Sequence, residues 1–212
     1  MSKIKLTKGE LKRQRDALSQ FRRYLPTLQL KKQQLQMKVL EAQTRLDGAK
    51  RKLTECEHGV LRWAALLADP VLARTDERGE RIFDLETYVL PVKVRTGQEN
   101  VAGVYVPVLE EVVFHAMDYD LASTPFWTDR AVGALRVLSE ASVEIQIIEK
   151  QIRALQKELR TTSQRVNLFE KVKIPEAREN IRRITIYLGD QQANAVGISK
   201  VAKKKIVEAA AV

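Results

Sequence analysis

The sequence predicts a mainly α protein: a long antiparallel two-helix coiled coil with a small β-hairpin-containing insert at the turn end. Three observations predict it. Apolar residues recur at alternating steps of three and four through the N-terminal third. The same stepping returns in the C-terminal third. The residues between lose that period and alternate with period two in places. With only nine Gly, six Pro and 6% aromatics, the composition also suits long helices better than an all-β fold.

The first element spans residues 1–69. Its steps fall on Leu18, Phe21, Leu25, Leu28, Lys32, Leu35, Val39, Ala42, Leu46, Ala49, Leu53, Cys56, Val60, Trp63 and Leu67, and fourteen of these fifteen are apolar. Lys, Arg, Gln and Glu fill most of the gaps. Such an a/d seam is the mark of a helix packed along one stripe against another helix. Fifty helical residues span ~75 Å at ~1.5 Å each. Asp69–Pro70 is expected to end the helix, because the residue before proline disfavours helical dihedrals.

The second element is the insert, residues 70–130. Residues 71–84 read as a turn and a short helix. Residues 88–94 and 101–109 alternate as two strands, with Thr96–Asn100 as the turn and Pro91 and Pro107 marking edges. The resulting β-hairpin is expected at the far tip of the coil. Residues 118–130, with Pro125, Phe126 and Trp127, form a loop against the coil end, where Trp63 and Trp127 act as packing anchors.

The third element spans residues 131–190. Its seam is Ala131, Ala134, Leu138, Ala141, Ile145, Ile148, Ile152, Leu155, Leu159, Thr162, Val166 and Phe169, eleven of twelve apolar. Past Phe169 it slips by one residue and resumes at Ala177, Ile181, Ile184 and Leu188, which reads as a stutter in the supercoil. Two seams of matching length joined by a short insert favour a hairpin of helices within one chain. A turn near Leu67 and Ala131 makes facing positions sum to about 198. Pro26 then faces about residue 172, beside Pro175, so the two prolines are expected to bend both helices at one height. Residues 191–212 form a basic tail expected to fray from Gly197.

Charge is unevenly placed. The net is +10 over the chain, with residues 1–55 at net +10 and residues 69–130 at net −6. Lys3, Lys5, Lys8, Lys12, Arg13, Arg15, Arg22 and Arg23 make the first helix strongly cationic, and Lys200 and Lys203, Lys204 and Lys205 are expected beside them in space. Such asymmetry speaks about partners rather than fold. It admits three readings: a solvated helix face, a nucleic-acid surface, or a charged shaft inside a protein ring. The nucleic-acid reading lacks stacking aromatics and a recognition helix.

Motifs for chemistry are missing. There is no P-loop, no G-x-G-x-x-G and no H-E-x-x-H. Cys56 is the one cysteine, so no internal disulfide or cysteine-based zinc site is expected. Cys56 and His58 do not share a helix face, and His115 stands alone. Glu110–Glu111 and Asp118 with Asp120 are paired carboxylates that read as solvated surface. No nucleophile, base and oxyanion site assemble, so the chain is expected to be non-catalytic, without cofactor or metal. Residues 1–11 lack a signal-peptide core, and the apolar runs fall short of the ~20 residues that cross a bilayer. A cytosolic protein is expected.

The stretch Lys5-Leu-Thr-Lys, Arg15-Asp-Ala-Leu and Arg23-Tyr-Leu-Pro-Thr-Leu-Gln-Leu-Lys-Lys-Gln-Gln-Leu resembles the start of the D subunit, the central-stalk component of V-type (A/V-type) ATPases and ATP synthases. Thr161-Thr, Arg165-Val-Asn and Glu170-Lys-Val-Lys-Ile-Pro-Glu-Ala-Arg-Glu-Asn-Ile-Arg-Arg-Ile resemble the C-terminal helix of that family, and Glu99-Asn-Val-Ala-Gly-Val with Pro107 is similar to its insert. The tail after Leu188 departs from the family pattern. The resemblance implies a rotor shaft whose termini enter the ring of catalytic and nucleotide-binding subunits. It also implies that the F subunit of the central stalk binds the shaft, that the C subunit links it to the membrane ring, and that torque passes between ATP chemistry and H⁺ or Na⁺ movement. On this reading the chain touches no nucleic acid and meets the membrane only through the complex, on its cytoplasmic face. The cationic residues above, Lys203 to Lys205 included, would meet the ring, and Pro26 and Pro175 would make the shaft eccentric. Two alternatives stand beside it: a basic coiled-coil nucleic-acid-binding protein, and the stalk of an export ATPase.

Overall fold

A computed structural model describes residues 4–68, 83–119 and 124–210 of the chain. In chain order the elements are α1 (Lys8–Leu61), a 3₁₀ turn (Ala64–Ala68), α2 (Leu85–Val89), β1 (Lys93–Val101), β2 (Val104–Val113), α3 (Thr128–Leu168), a π-helical turn (Phe169–Lys173) and α4 (Ile174–Ala210). The chain divides into two compact units, Met1–Lys32 with Arg160–Val212, and Gln33–Leu159. No helix among the described residues is long and apolar enough to cross a membrane.

α1 begins at Thr7, which caps its N-terminus. The Glu10 amide donates to Thr7 Oγ1 at 3.3 Å, and the Leu11 amide donates to the Thr7 carbonyl at 3.0 Å. The first of these satisfies an amide that the first turn leaves without a helical partner, and the second is the opening bond of the helix. The α-helix stops at Leu61, two residues past Gly59, and tightens to 3₁₀ geometry through Ala68. That is earlier than the Asp69–Pro70 stop expected from sequence. Asp69, Pro70 and most of the short helix expected over 71–84 lie outside the described residues.

In the Gln33–Leu159 unit the seams hold. Leu35, Val39, Ala42 and Ala49 of α1 are buried in one cluster with Ile145, Ile148, Ile152 and Leu155 of α3, and Leu46, Leu53 and Leu159 pack against its edge. Trp127 is buried at the entry to α3 and Trp63 is half-buried. The insert leaves at the turn end, but its hairpin does not stay there. Val106, 2% exposed, joins the same cluster, and Val101, Ala102 and Val104 pack on it. The hairpin therefore folds back along the flank of the coil. The buried Gln151 of α3 fixes it by donating to the Pro107 carbonyl at 2.7 Å. The physical reason is apolar area: three valines on one face of a two-stranded ribbon find cover only on another element.

The hairpin turn also differs from the expectation. Thr96–Asn100 belongs to β1, and the turn is Ala102–Gly103, with φ of 52° and 79°. Two consecutive positive φ values mark the two-residue hairpin turn whose twist matches the strands. Asn100 Oδ1 accepts from the Gly103 amide at 2.9 Å and steadies it. The pairing slips between Arg95 and Thr96, so Glu110 is a bulged residue of β2.

In the other unit, residues 8–32 of α1 pack against the end of α3 and the start of α4. The rings of Phe21 and Phe169 lie 5.3 Å apart, and Asn180 Nδ2 donates to Gln14 Oε1 at 3.4 Å. Leu18, Phe21, Leu25 and Leu28 form a half-buried stripe, while Val166, Ile174, Ala177 and Ile184 are buried opposite. The one-residue slip of the seam is not absorbed as a supercoil stutter. It is absorbed as the π-helical turn, in which the Ile174 amide reaches back to the Phe169 carbonyl five residues earlier. One wider turn takes up one extra residue and leaves the flanking helices facing the same way. Pro175 follows directly; it has no amide to donate, and its ring crowds the preceding turn, which favours the widening.

Facing positions sum to 190 at the phenylalanine pair and 194 at the Gln14–Asn180 contact. Pro26 therefore lies opposite residues 164–168 and not beside Pro175, contrary to a shared height. Pro26 sits inside the unbroken α1. The tail expected to fray is helical through Ala210, because Gly197 is its one breaker among good helix formers.

Candidate functional site

The first candidate surface is the cationic end of the unit formed by residues 1–32 and 160–212. Lys5, Lys8, Lys12, Arg13, Arg15, Arg22 and Arg23 are all exposed on α1 or just before it. The exposed Arg13 lies 3.8 Å from the half-buried Glu10, and at that length the pair contributes little. Lys3 lies outside the described residues. Lys200, Lys203, Lys204 and Lys205 are exposed on α4 but are not gathered beside the α1 cations. A groove lined by Ile4, Leu6, Ile184, Tyr187 and Asp190 places the start of the described chain level with Asp190. Lys200 to Lys205 lie ten to fifteen residues beyond, about 15–22 Å along a helix. Nearer the pairing, Arg182 and Arg183 donate to the Glu179 carboxylate at 3.0 Å, and those hydrogen bonds hold its pKa below the ordinary value.

The end of α4 carries a feature that the sequence-based expectation of a fraying tail does not include. Every residue from Gln191 to Val207 is exposed. Among them Val196, Ile198, Val201, Ile206 and Val207 are large aliphatics, Ile198 being 71% exposed. Continued past Leu188, the seam stepping falls on Gln191, Ala195, Ile198, Ala202 and Lys205, three of the five apolar. A helix studded with aliphatics and lysines, with no partner element of its own chain among the described residues, is a surface built for another molecule.

The second candidate surface is the junction of insert and coil in the Gln33–Leu159 unit. Phe83 stacks on Tyr88 at 5.6 Å, and Tyr119 meets both edge-on at 5.2 and 5.1 Å. The Tyr119 hydroxyl donates to Asp129 Oδ1 at 2.5 Å, and the Tyr88 hydroxyl donates to the Asp118 carbonyl at 3.1 Å. Burial, then the hydrogen bond and charge of Asp129, push the Tyr119 pKa up to about 12 from 10.0. The folded state therefore favours the protonated phenol. Its stabilisation is complete below pH 10 and is lost as pH rises from 10 through about 12. In an alkaline titration followed by phenolate absorbance, a step near pH 12 is expected, and Tyr119→Phe is expected to remove it.

Of the weaker candidates, Cys56, Glu110 and Glu111 line one groove in the Gln33–Leu159 unit. Cys56 is half-buried at its seam position. Glu111 is engaged by Arg95 at 2.7 Å. Asp120 lies outside the described residues. Among the described residues no three His, Cys, Asp or Glu side chains converge in a way that could hold a metal ion.

The sequence profile of a family described as the ATP synthase D subunit matches residues 10–204. A V-type ATP synthase D subunit of Borreliella burgdorferi is 40% identical over 208 residues, 98% of this chain and 97% of that protein. Proteins of the same name from Chlamydia felis and Chlamydia pneumoniae are 35% identical over 205 residues and 32% identical over 203 residues. They cover 97% and 96% of this chain and 94% and 93% of their own lengths.

Proposed function

The chain belongs to the family of ATP synthase D subunits, and we propose that it acts as the central rotor shaft of a V-type rotary ATPase or ATP synthase. It carries torque between the ring where ATP is made or split and the membrane rotor that moves ions. It is a non-catalytic subunit. Its exposed cations from Lys5 to Arg23 and at Lys203 to Lys205 meet the catalytic and nucleotide-binding subunits of the ring. Pro26 and Pro175 bend their own helices at separate levels, so the end inside the ring is eccentric and presses on its subunits unequally. Unequal contact is differential binding to the states of each catalytic site, which is what couples rotation to turnover. The F subunit binds the coil, the C subunit joins it to the membrane ring, and the complex holds the chain at the cytoplasmic face.

The observation that carries this reading is the stretch Gln191–Val207, exposed throughout and rich in aliphatics. A solitary helix of that kind in water is marginal; inside a protein collar its apolar side chains are covered and its lysines face polar loops. The test is a triple variant, Ile198→Asp, Val201→Asp and Ile206→Asp, in the full complex. The chain alone should melt as the parent does, because these side chains are exposed in it. Retention of the nucleotide-binding ring on the tagged variant is expected to fall at least tenfold. Equal retention by parent and variant would refute the reading.

A further inference from the structure

We infer that Arg136 is a positioning residue that fixes the stems of the insert to α3, so that load reaching the insert enters the coil there. The load path rests on the rotor reading above; the attachment itself does not. Arg136 Nε donates to the Tyr88 carbonyl at 2.8 Å, and Arg136 Nη2 donates to the His115 carbonyl at 2.5 Å. Tyr88 precedes β1 and His115 follows β2, so one guanidinium grips both stems of the hairpin. The guanidinium carbon also lies 5.2 Å from the centre of the Phe114 ring, within cation–π range.

Three features distinguish this from ordinary surface contact. The two hydrogen bonds of Arg136 go to backbone carbonyls and its face to a ring, so its charge is spent on the stems themselves. The planar fork of arginine reaches two carbonyls at fixed angles, which a lysine ammonium on a flexible stem does not. The aromatic group of Phe83, Tyr88 and Tyr119 closes over the same stems and reaches α3 through Asp129. Farther along the hairpin, Gln151 holds it again at Pro107. The stems are thus the stiff connection nearest the covalent exits of the insert, and stiffness is what a torque path needs.

The test uses Arg136→Lys, which keeps the charge and loses the fork, and Phe114→Leu, which removes only the ring contact. Arg95→Lys, on an exposed ion pair of the hairpin, serves as control. In the purified full chain, amides flanking Tyr88 and His115 should exchange with deuterium at least tenfold faster in Arg136→Lys, and less so in Phe114→Leu. In the assembled complex, Arg136→Lys should lower ions pumped per ATP at least twofold while ATP hydrolysis continues. Unchanged exchange overturns the attachment. Faster exchange with an unchanged pumping ratio overturns the load path. A parent complex that drives no ion pumping refutes the rotor reading instead, and leaves the exchange result standing.

Discussion

Leu35→Ala is expected to cost the Gln33–Leu159 unit about 2–5 kcal/mol. Leu35 is 0% exposed and shares one cluster with α3 and the hairpin. Truncation removes three carbons from a site in the cluster that holds Ile152, Leu155 and Val106, and those neighbours belong to different elements that cannot all collapse inward. The loss should appear in urea unfolding as a lower midpoint with an unchanged slope. Leu40→Ala, on the same helix but exposed, should change stability by less than about 0.5 kcal/mol. Similar losses from the two variants would mean that the seam does not face α3.

An insertion in the π-helical turn should be as damaging, and a deletion there mild. The segment Phe169–Lys173 already holds one residue more than an α-helical turn. One alanine added after Val172 rotates everything downstream by about 100°. Ala177, Ile181, Ile184 and Leu188 then swing off α1. Fully burying an aliphatic side chain is worth about 1.5–3 kcal/mol, and Ile184 is 0% exposed, so the pairing of this unit should be lost. Deleting Val172 while changing Pro175→Ala restores an unbroken three-and-four seam through Leu188. That double variant should fall within about 1 kcal/mol of the parent, since an exposed residue is removed and the ring clash of proline disappears. Denaturant melts of the three full-length chains decide it. Equal stability of insertion and deletion variants would show that the turn does not set the facing of α4.

The seam was legible in the sequence because burial against a neighbouring helix demands one stripe at fixed period, and that demand is written in residue type. Even Lys32, the charged member of the stripe, is half-buried; its aliphatic stem can line the seam while the ammonium reaches water. The one-residue slip was visible too, but the choice between a stutter and a π-helical turn depends on hydrogen-bonding geometry near Pro175. The hairpin turn was misplaced for a similar reason. Thr96–Asn100 has the composition of a turn, whereas Ala102–Gly103 reveals itself through backbone dihedrals that alanine rarely adopts. The seating of the hairpin on the coil flank and the grip of Arg136 join residues far apart in sequence, and no local pattern encodes them. The exposed aliphatics of α4 looked like a fraying tail because the surface that covers them belongs to another chain in the proposed assembly.

The most direct test of the rotor account is to watch the chain turn. The assembled complex is immobilised through its ring, and a bead is attached to a biotinylated cysteine replacing Gln98 on the hairpin, with Cys56→Ser as background. On addition of ATP the account predicts that the bead rotates stepwise in one direction and stops when ATP is exhausted. A bead that stays still while the ring hydrolyses ATP at full rate would contradict it.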